Sequence, residues 1–286
     1  QRTNAWWAIL AVVIGSTLVG KEWLFLTYGI VSLLALREYL SVISTRVVDH
    51  RTLVLMFFVM IPLQYALAAM GWYVMFLIFV PVYCLVLIPL RLAIAGDTES
   101  FVVRAATLQW GAIVFVYFLS YIPMLLHVSV PGLEEVPSRF VLFLIIITQV
   151  SDVLQYIFGK LFGRRKILPS VSPNKTLEGL LGGCLGTIAI GCSLHWMTPF
   201  SIYTTAALTA VLVVVGFGGG LVMSSIKRDV GIKDWGSMIS GHGGVIDRLD
   251  SLLFSAPVYF HFLVFFSNAH IDHATPTWIY RILGIE

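Results

Sequence analysis

The chain has 286 residues, 58% of them hydrophobic and only 12% charged, with a mean hydropathy of +0.91. A soluble globular protein carries about twice that share of charge, and a disordered chain is poor in apolar residues, so both classes are excluded. The formal net charge of +3, from 18 Lys and Arg against 15 Asp and Glu, is too nearly balanced to point to nucleic acid.

An all-α polytopic membrane protein follows, one membrane domain over residues 1–286, with no room for a large soluble domain at about 20 residues per crossing. The apolar run from Trp6 to Gly20 reads as a first span, part of the body rather than a cleaved signal. Trp23 to about Leu40 is the second. Leu53 to Leu90 holds no Asp, Glu, Lys or Arg and is too long for one crossing at 1.5 Å per residue, which predicts two helices turning at Gly71. Ala105 to about His127 and Phe140 to about Phe158 follow. Gly179 to Ile226 reads as a helical hairpin that turns near 195–200, because Pro199 cannot continue a helix. Ser251 to about Phe266 closes a set of nine spans. Cys84, Cys184 and Cys192 lie in apolar stretches, odd in number, and read as core residues.

Orientation follows from the bias of Lys and Arg toward cytoplasmic loops. With the amino terminus inside, only Lys21, Arg139 and Arg281 of the 18 cations fall on the outer side. Two basic loops, Gly159 to Glu178 and Ser224 to Asp250, then share the cytoplasmic side. Binding to anionic lipid headgroups would account for their cations alone. It does not account for the second loop's Asp229, Asp234, Asp247 and Asp250, interleaved with Lys227, Arg228, Lys233, His242 and five glycines.

Asp247 and Asp250 are three residues apart at the start of the last span, so a helix projects both from one face. Such a pair beside cations can hold Mg²⁺ while Lys and Arg grip phosphate oxygens, or can simply favour the positive end of a helix. The preceding Gly241-His242-Gly243-Gly244 allows backbone amides close to a phosphate. Asp152 lies late in an apolar span, either a functional carboxylate or a residue already at the interface. Ser172-Pro173 reads as a helix cap and first position, with Lys175, Thr176 and Glu178 near an end able to bind an anion. His242 suits acid–base work or a structural hydrogen bond. Gly216 to Gly220 reads as close helix packing, not a phosphate loop, since no Gly-Lys-Ser or Gly-Lys-Thr follows.

Ser224-Ser225-Ile226-Lys227-Arg228, then Lys233-Asp234, then His242 to Asp250 resembles the signature of the phosphatidate cytidylyltransferases, or CDP-diacylglycerol synthases, almost in full. A second resemblance runs from Asp152 to Gly179, and the two cover the carboxyl half, residues 140–286. The amino half, 1–139, is similar only in hydropathy. The resemblance implies a homodimer in the bacterial inner membrane that converts CTP and phosphatidic acid to CDP-diacylglycerol and pyrophosphate. It implies catalytic roles for Lys227, Arg228, Lys233, Asp234, His242 and Arg248. Asp152, Ser172, Lys175, Thr176, Glu178, Gly243 and Gly244 would bind the nucleotide and its cofactor. Asp247 and Asp250 would hold Mg²⁺, with a second cation accommodated. The chain departs from the family pattern at Gly220, where members usually carry a metal-binding Asp, and at Ser240, where they usually carry Pro; the first departure implies impaired activity. CTP-dependent transfer to another lipid phosphate is an alternative, as is a lipid-binding or transport protein without catalysis. No internal repeat favours transport.

Overall fold

The computed structural model describes residues 20–271 other than 44, 132, 134–135, 237–242 and 268, together with Gly15. Its helices are α1 (Lys21–Val42), α2 (Val47–Ala69), α3 (Tyr73–Ile94), α4 (Phe101–His127), α5 (Ser138–Phe162), α6 (Leu177–Ser193), α7 (Ile202–Asp229) and α8 (Ile246–Phe266). All but the shorter α6 are long and apolar enough to cross a membrane. The expected first span lies almost wholly outside the described residues, as does His242. The turn expected at Gly71 is present, with φ +69, and the hairpin of α6 and α7 turns through a short 3₁₀ segment at His195–Met197.

The bundle's outer faces carry Leu26, Ile30, Phe58, Val86, Val102 and Leu185, all exposed, as lipid rather than water would require. Its core is aromatic between α3, α4 and α8, where Tyr121 meets Phe76 and Phe260 with ring centroids 5.1 Å apart in each pair. Gln64 on α2 is buried there and donates to the Ser120 hydroxyl of α4 at 3.1 Å, satisfying one buried amide hydrogen across the helix interface.

Two glycine faces set the geometry of the functional end. Gly179, Gly183 and Gly186 of α6 lie against α5 so closely that a methyl at 183 would stand 2.8 Å from the Gln155 amide nitrogen. Gly216 and Gly219 bring α7 onto α8 in the same way, which bears out the packing reading at those two positions of the glycine run, while Gly218 meets open space and Gly220 meets Lys175. Overpacking of this kind costs about 1–3 kcal/mol, so Gly183→Ala is expected to lower the unfolding midpoint in detergent. Gly218→Ala, with open space around the new methyl, is expected to leave it unchanged or raise it.

The Ser172-Pro173 reading needs correction. With Val128–Ser129 as β1, Ser172–Thr176 is a strand, β3, paired antiparallel with β2 (Lys166–Leu168), and α6 starts at Leu177. Thr176 is its cap, accepting the Gly179 amide on Oγ1 at 3.2 Å. In a two-stranded hairpin every strand is an edge, and an edge tolerates a proline without an N–H. A second small pair joins Val128–Ser129 to His270–Ile271 at the opposite end of the bundle.

Candidate active site

The two sequence segments singled out above meet at one end of the bundle. Arg228, at the end of α7, donates to the Val171 carbonyl at 3.3 Å and to the Ile232 carbonyl at 3.4 Å, tying the β2–β3 hairpin to the loop after α7. Between them lies a cavity of about 450 Å³. Asp152, Ser172, Lys175 and Thr176 line it from one segment, and Asp247, Arg248 and Asp250 from the other. Its size is that of a small-ligand pocket, and Val153 and Tyr156, exposed on the outer face of α5, form part of its wall.

Asp247 lies in the first turn of α8 and Asp250 about one turn further on, on the same face as their spacing predicts. Their surroundings differ. Asp247 accepts the Lys227 ammonium on Oδ1 at 2.7 Å, and the Trp235 and Gly244 amides on Oδ2 at 2.9 and 3.0 Å. It therefore fastens the chain on both sides of 237–242 to the end of α7, and among the described residues its Oδ1 accepts from Lys227 alone. Asp250 takes the Ser251 amide on Oδ1, leaving Oδ2 toward Gly220. Asp152 accepts the Ser251 hydroxyl at 2.9 Å, so Ser251 bridges two carboxylates that face one cavity.

Lys175 reaches into this acidic ground from β3. Its ammonium donates to the Phe217 carbonyl at 3.3 Å and sits 4.4 Å from the centre of the Phe217 ring. Burial pushes it below the usual lysine range, against the opposing pull of Asp250 and Asp152. A Cβ at Gly220 would come 2.6 Å from this nitrogen and 3.6 Å from Asp250 Oδ2. Gly220 is thus at the centre of the charge cluster.

Other expected residues stand further out. Glu178 accepts the Arg164 and Arg165 amides, closing the turn after α5, and does not line the cavity. Lys233 and Asp234 are exposed beyond α7. A Cβ at Gly243, which has φ +79, would meet Asp247 Oδ2 at 2.9 Å, so the glycine allows the loop to close on that carboxylate. Gln149, Ser251 and Phe217 also line the cavity and were missed in the sequence, because each lies just outside the two motif segments.

The sequence matches the model of the Cytidylyltransferase family over residues 1–266. The chain belongs to that family. This cytidylyltransferase is a CTP-dependent nucleotidyltransferase on a membrane scaffold. It is 38% identical over 265 residues to the uncharacterized protein YnbB of Escherichia coli strain K12, covering 92% of this chain and 86% of that one. It is also 38% identical over 144 residues to the phosphatidate cytidylyltransferase of Aquifex aeolicus, and 40% over 122 residues to that of Staphylococcus epidermidis. Those two alignments span 50% and 42% of the cytidylyltransferase described here, and 54% and 47% of the relatives.

Proposed function

We propose that the protein transfers the cytidylyl group of CTP to phosphatidic acid, giving CDP-diacylglycerol for phospholipid synthesis and releasing pyrophosphate. The observation that carries this reading is the meeting of both motif segments on one cavity that is charged on one side and bounded on the other by exposed Val153 and Tyr156 of a membrane-length helix. A phosphate of the lipid would attack the α-phosphorus of CTP through oxygen, and the bond to the β-phosphate oxygen would break. Two anions must be held together for this, so fixed positive charge supplies most of the catalysis. Lys175 and Arg248 face the cavity and suit the phosphates, while Lys227 holds Asp247 in place.

The donor set fits Mg²⁺. Among the described residues no group of three or more His, Cys, Asp or Glu forms a cage, and Mg²⁺ is commonly held by one or two carboxylates plus substrate phosphates. Asp250 has its Oδ2 toward Gly220, and Asp152 and Asp247 line the same cavity. A bound Mg²⁺ would neutralise phosphate charge as the leaving group departs. With Gly220 in place of a carboxylate, the set is one oxygen ligand poorer, and the reading includes reduced activity at low Mg²⁺.

The proposal also places nine spans in the bacterial inner membrane as a homodimer, with the amino terminus and both basic loops in the cytoplasm. Cysteines introduced singly near Arg165 and Gly236, in a chain without Cys84, Cys184 and Cys192, are expected to react only from the cytoplasmic side. Reaction of either from outside would remove the site from its nucleotide supply. The reaction itself is tested by pyrophosphate release from CTP in detergent with Mg²⁺, across phosphatidic acid, other lipid phosphates and no lipid. Release that requires phosphatidic acid is expected; equal release without lipid would overturn the assignment.

A further inference from the structure

The helix that carries Asp247 and Asp250 begins without a cap of its own. Val245 precedes α8 in helical conformation and makes no side-chain capping bond. The first amides of such a helix need acceptors from elsewhere. One comes from the amino half, where the sequence offered no motif. Glu38, near the end of α1, is only 5% exposed, and its Oε2 accepts the Ile246 amide at 2.8 Å.

The surroundings close on the same carboxylate. A Cβ at Gly236 or at Gly244 would run into Glu38 Oε1, so both glycines are set by its presence. Trp235 packs beside Tyr39, the next residue on α1, with ring centroids 6.0 Å apart, and its amide is held by Asp247. Glu38 does not line the cavity, so it does not meet substrate there. A buried carboxylate in an apolar helix is costly, and the positive end of α8 is where its charge is offset.

We propose that Glu38 is a positioning residue: by capping α8 it fixes where Asp247 and Asp250 stand relative to Lys175 and Lys227. The effect on turnover rests on the reaction proposed above; the effect on the helix end does not. Glu38 Oε1 has no hydrogen-bond donor among the described residues, which separates reach from charge. Glu38→Gln keeps an oxygen at the right distance and sacrifices no observed hydrogen bond. Glu38→Asp keeps the charge and withdraws it by one methylene.

The test measures amide hydrogen exchange and Mg²⁺-dependent initial rates on the full chain in detergent, for the wild type and for Glu38→Ala, Glu38→Gln and Glu38→Asp. Glu38→Ala is expected to speed exchange at Ile246 by about tenfold or more and to raise the Mg²⁺ needed for half-maximal turnover. Glu38→Asp should follow it, and Glu38→Gln should stay within about threefold of wild type in both readouts. If Glu38→Ala does not fold, the ranking of Gln above Asp carries the test. Unchanged Ile246 exchange in Glu38→Asp, or Glu38→Gln no better than Glu38→Asp, would overturn the role. Should the wild type release no pyrophosphate, the proposed reaction fails, and the exchange ranking alone decides the role of Glu38.

Discussion

Asp250→Asn, made in a Gly220→Asp background, is expected to lower phosphatidate-dependent turnover by at least about 100-fold, or about 2.7 kcal/mol of barrier, without lowering the unfolding midpoint. Asparagine can still accept the Ser251 amide through its side-chain oxygen, so that observed bond of α8 is kept. What disappears is the charge that lines the cavity and turns Oδ2 toward Gly220. Asp247→Asn should behave differently. That change weakens the partner of Lys227 and the anchor of Trp235 and Gly244, so turnover and unfolding midpoint are expected to fall together. Near-normal turnover in Asp250→Asn would show that this carboxylate serves only the helix end.

Gly220→Asp alone is expected to raise turnover at limiting Mg²⁺ at least tenfold, about 1.4 kcal/mol. The new Cβ displaces only the flexible end of Lys175, whose hold on the Phe217 carbonyl can be exchanged for an ion pair with the new carboxylate. Gly220 is inside α7 without positive φ, so no backbone strain opposes the change. The added oxygen would stand beside Asp250 and tighten Mg²⁺. The gain should shrink as Mg²⁺ saturates, and initial rates across a Mg²⁺ series check this. Equal rates and equal metal dependence in both versions would make Gly220 a packing glycine like Gly216 and Gly219.

Hydropathy showed most of the fold, because in a membrane every span must satisfy its backbone internally and exclude charge along its length. Gly71 and the α6–α7 turn were legible for that reason. The Ser172-Pro173 pair was not, since serine followed by proline suits a helix start and an edge strand equally, and only the distant Lys166–Leu168 chooses between them. The candidate site was legible where residues form a dense motif, from Lys227 to Asp250 and from Asp152 to Thr176. The division of labour between Asp247 and Asp250 was not, because it depends on where the Lys227, Trp235 and Gly244 donors fall in space. Glu38 was not singled out: beside Arg37 near the end of α1 it reads as an interface charge, and it becomes a helix cap only once α1 packs beside α8.

The central claim is that the cytidylyl group ends up on a membrane lipid. CTP labelled at the α-phosphate, incubated with phosphatidic acid vesicles, Mg²⁺ and the detergent-solubilised protein carrying Gly220→Asp, tests it most directly. Label should move into the organic phase as a single lipid product, in amount equal to the pyrophosphate released. Label that remains aqueous as CMP, or that appears in lipid equally without phosphatidic acid, would contradict the account.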